Sequence, residues 1–170
     1  MALLSRRPKP PAEVVAQLRP DERVLAWGDT DDGRAVVATN VGLWWPFADG
    51  LRRIGWEVVS KAVWRDTTLT VTEAEVDDVL LIDRAPTSVT ITEPRNLPAT
   101  VRKRVESSVV RSEIALIDDG TALFVGRRVP GQDGVTWRAR LEGHTLDNEV
   151  TRASVRQRIE LLAASWKPLD

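Results

Sequence analysis

The chain has 170 residues, with no cysteine, no tyrosine and a single histidine. The lack of cysteine excludes disulfides, thiolate metal ligands and a thiol nucleophile, and fits a reducing compartment. His144 alone cannot make a multi-histidine metal site and leaves one imidazole for acid–base work. It sits in Glu142-Gly-His-Thr145, the expected exit of a strand, and is expected to be an exposed loop residue. No serine occupies a Gly-x-Ser-x-Gly setting. Neither Gly-x-Gly-x-x-Gly nor a loop ending in Gly-Lys-Ser/Thr is present, which removes the usual support for a nucleotide cofactor. The expectation is a non-enzymatic protein with no cofactor, no metal ligands and no catalytic residues.

Long apolar runs are also missing. Val79 to Ile82 is strand-sized, far short of the ~20 residues that span a bilayer. The opening Met-Ala-Leu-Leu-Ser-Arg-Arg-Pro-Lys-Pro-Pro lacks the apolar core of about 7–15 residues that a signal peptide needs. A cytoplasmic location without membrane insertion is expected, with residues 1–10 a basic, proline-rich arm and 11–170 one domain. Lys+Arg 24 against Asp+Glu 25 gives a net charge of −1, which argues against a chain devoted to neutralising phosphate backbones. What is abundant is tryptophan: seven, against two phenylalanines, so its first expected use is core filling.

The hydropathy pattern alternates between strand and helix. Pro11 to Leu18 reads as a short helix docking through Val14, Val15 and Leu18. From Glu22 the period becomes that of strands, with Val24 to Trp27 and Arg34 to Thr39 separated by Asp29-Thr-Asp-Asp-Gly33. After Asn40-Val-Gly42 comes Leu43-Trp44-Trp45, whose adjacent tryptophans should point to opposite faces, at least one of them inward. Leu51 to Ile54, Ala62 to Arg65, Thr68 to Thr72, Val79 to Ile82 and Ser88 to Thr92 complete about seven short strands, with Trp56 to Val59 a turn or helical step. Pro98 opens a helix carrying Val101, Val105 and Val109 on one stripe, suited to capping a sheet. Strands return at Ile114 to Ile117, Leu123 to Val129 and Val135 to Leu141. A last helix from about Asp147 to Trp166 lines up Val155, Ile159, Leu162 and Trp166. The fold class is α+β: a twisted antiparallel sheet or small barrel capped by a helix, with an additional C-terminal hairpin and helix.

Val36-Val-Ala-Thr-Asn-Val-Gly-Leu-Trp-Trp-Pro46, then Arg53-Ile-Gly-Trp-Glu-Val-Val59 and Ala62-Val-Trp-Arg-Asp-Thr-Thr-Leu-Thr-Val71, resembles a group of uncharacterised actinobacterial proteins with a pleckstrin-homology-like (PH-like) fold. The resemblance implies a strand-rich, helix-capped barrel and carries no binding or catalytic residues. Strands beyond the capping helix exceed what a minimal PH-like domain needs.

Acidic clusters read as turns. Asp29 to Gly33 has Arg34 and Asn40 where a calcium loop needs glycine and glutamate. Asp77-Asp78 and Asp118-Asp119 are sequence neighbours, which diverge on a strand. The binding candidates are arginines. If Pro130 to Gly134 closes a hairpin without a bulge, Arg128 shares a face with Arg138 and Arg140, and Gly126 leaves that face flat. Arg104 and Arg111 sit one heptad apart on the capping helix, beside Lys103 and Ser107. Seven acids between Asp66 and Glu93 face only Arg84, making that stretch acidic.

Three readings follow. The first is a non-catalytic interaction module binding another cytoplasmic protein through a sheet face or barrel mouth. The second is a nucleic-acid- or ribosome-associated protein using Arg6, Arg7, Lys9 and the Arg128/Arg138/Arg140 face. The third is a small-molecule or lipid-headgroup binder with a pocket walled by Trp44 or Trp45 and Trp56.

Overall fold

A computed structural model describes residues 8–118 and 120–167 of the chain. Arg6, Arg7 and Asp119 lie outside the described residues, and Lys9 is exposed.

Four strands come first as an antiparallel meander: β1 (Val24–Thr30), β2 (Ala35–Thr39), β3 (Gly42–Phe47) and β4 (Gly50–Gly55). A 3₁₀ turn, Trp56–Val58, leads into β5 (Val59–Arg65), β6 (Thr68–Asp77), β7 (Leu80–Asp83) and β8 (Thr87–Glu93). The tight turns depend on aspartates that tolerate a left-handed backbone: Asp66 at φ 53° between β5 and β6, Asp78 at φ 55° between β6 and β7. Thr30 and Arg34 both donate to Asp32 in the β1–β2 turn, so that acidic cluster is spent on turn geometry.

Helix α2 (Leu97–Ser108) begins with proline in its first turn and buries Leu97 and Val101. It ends earlier than the stripe suggests. Val109 already has extended backbone and opens β9 (Val109–Ile117), followed by β10 (Gly120–Arg127) and β11 (Thr136–Glu142). β11 joins the first part through a short parallel pairing, Ala139 opposite Leu80. The result is one open sheet, mostly antiparallel, in the order β4-β3-β2-β1-β8-β6-β7-β11-β10-β9, with β5 also paired to β6. It does not close into a barrel. Helix α3 (Glu149–Ser165) starts where the Asn148 side chain accepts from the Thr151 N–H at 2.9 Å.

Three cores follow from strand alternation. The main core holds Val36, Ala38, Leu43, Trp45, Ile54, Leu69, Val71 and Ile91 against Leu97 and Val101 of α2. A second lies between α3 and β7, β10 and β11, where Val155 and Leu162 meet Leu80, Phe124, Trp137 and Ala139, with Ile159 and Trp166 at its margin. A third forms on the outer face of the meander, where α1 (Ala12–Val15), shorter than the expected helix, and Leu18 cover Ala35, Val37 and Trp44. The two adjacent tryptophans therefore do point to opposite faces, and both are buried.

Glu22 links the third core to the meander. Its buried carboxylate accepts from Thr39 Oγ1 at 2.7 Å and Trp44 Nε1 at 3.0 Å, and pairs with Arg53 at 2.6 Å. Burial pushes its pKa up, but the hydrogen bonds from Thr39, Trp44 and the Arg19 N–H, with the Arg53 charge, outweigh this and hold it below the usual carboxylate value.

Candidate functional site

The β10–β11 register decides where the arginines go. Arg127 pairs with Thr136, Val125 with Arg138 and Leu123 with Arg140, so Arg127, and not Arg128, shares the face of Arg138 and Arg140. The expected three-arginine face is corrected on this point. The connection runs over residues 128–135, longer than the expected Pro130–Gly134 turn, and sets the pairing one residue away from the expected one, while the Arg128 N–H bonds the Ser108 carbonyl at the end of α2 at 2.9 Å. A one-residue change of register moves every side chain to the other face. Gly126, opposite Trp137, consequently lies on the core side, where a Cβ would meet Val135 and Trp137 at 2.9–3.0 Å.

On the Arg138 face only Arg140 meets a carboxylate; Arg127 and Arg138 have none within ion-pairing distance among the described residues, and the Nε of each is buried without a hydrogen-bond partner. Arg140 pairs with Asp83 and donates to Ser60, while Arg138 Nη1 donates to the Trp137 carbonyl at 2.9 Å. Arg127 is buried and donates to Ser108 Oγ at 2.7 Å and the Trp56 carbonyl at 3.2 Å. Desolvation, then repulsion from Arg140, holds its pKa below the usual guanidinium value. Arg111 lies on β9 rather than on the helix, paired with Glu113 at 3.4 Å, because α2 ends at Ser108.

The acidic stretch is likewise met from within the chain. Arg52 grips Glu73 with two bonds of 2.8 Å, Arg84 reaches Glu75, Arg152 pairs with Asp77 at 2.7 Å and Arg156 with Asp78 at 2.7 Å. With Asp83 on Arg140, five of the seven acids are paired.

What the fold does bring together is Arg104 and Arg128. They line a cleft of about 640 Å³ where the end of α2 faces the 128–135 loop and Trp166, just past the end of α3. Trp56 and Ser108 are its buried walls, and Gln132 and Asp133 stand on the rim. The hydrogen bonds of the buried walls are already used: Trp56 Nε1 donates to the Thr39 carbonyl, and Ser108 Oγ donates to the Val105 carbonyl while accepting from Arg127. Neither Arg104 nor Arg128 has a carboxylate within ion-pairing distance among the described residues. The spare groups of the cleft are thus two guanidiniums and the Gln132 amide, opposed by one carboxylate, beside two indole rings. Such a lining suits an anionic group attached to an apolar or flat one.

Of the residues singled out in the sequence, Arg104, Arg128 and Trp56 meet here, while Arg111, Arg138 and Arg140 do not. Trp44 and Trp45, expected as pocket walls, lie inside cores. Trp166 was legible only as a helix-packing residue. His144 is exposed in the turn after β11. Among the described residues no helix is long and apolar enough to cross a membrane. No protein-family model, curated protein or solved structure matches the chain.

Proposed function

We propose that the chain is a non-catalytic, PH-like interaction module that receives an acidic segment of a cytoplasmic partner protein in the Arg104/Arg128 cleft. The observation that carries this reading is the convergence of two arginines from separate elements on an open concavity, neither spent on an internal carboxylate. Many other arginines meet carboxylates, as at Glu22, Glu73, Asp77, Asp78 and Asp83, and Arg127 and Arg138, which do not, donate to carbonyls within the fold. The PH-like part of the reading draws support from the order of residues 24–108: a four-strand meander, the β5–β6–β7/β8 strands, and a helix packed on their shared core, with β1 pairing onto β8.

The test is affinity purification of tagged wild type and the Arg104→Ala/Arg128→Ala double variant from the native host, at low and high salt. The expected result is a protein recovered with wild type and lost with the double variant, while Arg111→Ala behaves as wild type. Equal recovery by all three would remove the cleft as the site.

A second reading, a small organic anion in the same cleft, is favoured by the placement of Trp56 and Trp166 beside the two guanidiniums. Tryptophan emission on titration with aromatic carboxylates and phosphates separates the two.

A further inference from the structure

The face of β10 and β11 turned away from α3 carries Val125 and Arg127 opposite Arg138 and Thr136. It meets Val76 and Leu81, paired across β6 and β7, and the 3₁₀ turn at Glu57, around a hollow of about 60 Å³. That is room for about two waters, at a liquid share of about 30 Å³ each. Val76 is its one exposed wall. Three of the lining side chains hold a buried polar atom without a hydrogen-bond partner: Glu57 Oε2, Arg127 Nε and Arg138 Nε. Arg127 is 8% exposed as a whole residue. Such atoms are rare in folded proteins, because burial takes away the hydration that a partner would replace. Trp137 Nε1 is the only other among the described residues, so three of four gather at one hollow.

Two N–H donors and one carboxylate oxygen call for an occupant with two acceptors and one donor. Two guanidiniums against one carboxylate also leave the lining with an excess positive charge. Arg140 adds to it, since its charge, after desolvation, holds the Arg127 pKa down. Water would satisfy the three atoms and leave the excess charge unmet, and a halide would meet the charge and leave Glu57 Oε2 without a donor. Both demands are met by a small monovalent oxyanion that keeps one O–H. We propose that this hollow binds bicarbonate, two of whose oxygens accept from the Nε–H groups of Arg127 and Arg138 while its O–H donates to Glu57 Oε2. The site uses neither Arg104 nor Arg128 and stands or falls apart from the cleft.

Thermal melting of the full chain in mildly alkaline buffer, with sodium chloride, nitrate or bicarbonate at one ionic strength, tests this. Nitrate matches bicarbonate in charge and planarity but has no O–H. Bicarbonate in large excess should raise the wild-type melting temperature by about 2–4 °C over chloride, and nitrate by less. In Arg138→Met the lining loses a donor and its excess charge, so only the general effect of each salt on folding should remain. In Glu57→Gln the advantage of bicarbonate over nitrate should shrink to the difference seen in Arg138→Met. Isotope-labelled bicarbonate should broaden in the carbon NMR spectrum with wild type and stay sharp with Arg138→Met, a readout of binding that does not pass through stability. An equal bicarbonate gain in Arg138→Met leaves the hollow to water and overturns the proposal. So does a nitrate gain that matches bicarbonate in wild type, a bicarbonate advantage that persists in Glu57→Gln, or a bicarbonate line that wild type leaves sharp.

Discussion

Trp44 and Trp45 are consecutive on β3 and stand in different cores: Trp45 against the main core, Trp44 under α1 with its Nε1 donating to Glu22 at 3.0 Å. One strand thus anchors both faces of the sheet, and the two rings should answer differently to truncation.

Trp45→Ala should lower stability by about 3–5 kcal/mol, the usual cost of emptying a fully buried aromatic site. Trp44→Phe keeps most of the ring but removes a donor to a carboxylate, a loss of about 1–3 kcal/mol. Urea unfolding followed by far-ultraviolet circular dichroism measures both, and the reverse order would contradict the core assignment.

Acid should destabilise the protein through Glu22 and Glu73. Both have folded pKa values below their ordinary ones, Glu73 chiefly through its bonds from Arg52. A carboxylate of this kind contributes fully above its unfolded pKa of about 4.3, and the contribution is lost as pH falls through the lower folded value. The urea midpoint should therefore drop from about pH 4 downward. In Glu22→Gln the drop should be shallower, from a lower starting midpoint; an unchanged pH profile would remove Glu22 from the cause.

Gly42→Ala should cost about 2–3 kcal/mol, since a Cβ there would stand 2.4 Å from the Ile54 carbonyl oxygen, a backbone atom that cannot turn aside. Thermal melting measures the loss, and a melting temperature equal to wild type would mean that β3 and β4 separate more easily than their pairing indicates.

Arg152 bridges Asp77 on β6 and Asp147 before α3, so Arg152→Glu should lower the melting temperature at low salt. The difference should shrink in 1 M salt, where the Debye length is about 3 Å. A salt-independent difference would point to packing instead.

The strands, both main helices and most of the core were legible because burial on one face imposes a period that composition carries. Val36, Leu43, Leu69 and Val71 announce the main core, and Val155, Ile159 and Leu162 announce α3. The candidate site was legible only in fragments. Arg104 and Arg128 were visible as arginines, but their meeting depends on where α2 stops and how the 128–135 loop leaves β10. Arg111 and Arg128 were misplaced for that reason. Where a helix stops and which register a hairpin takes depend on contacts between distant residues and on the course of the connecting loop, here 128–135, which no local pattern encodes.

By itself the sequence determined the α+β class, the opposite facing of Trp44 and Trp45, the aspartate turns and the lack of thiol chemistry, since each follows from local period, backbone tolerance or inventory. Only the tertiary structure decided that the sheet stays open, that the acidic strands are neutralised by arginines from β4, β11 and α3, and that Arg104 and Arg128 share a cleft. Those outcomes depend on contacts between residues far apart in the chain, and the free energy of such contacts is fixed by register and packing, not by the neighbours of any one residue.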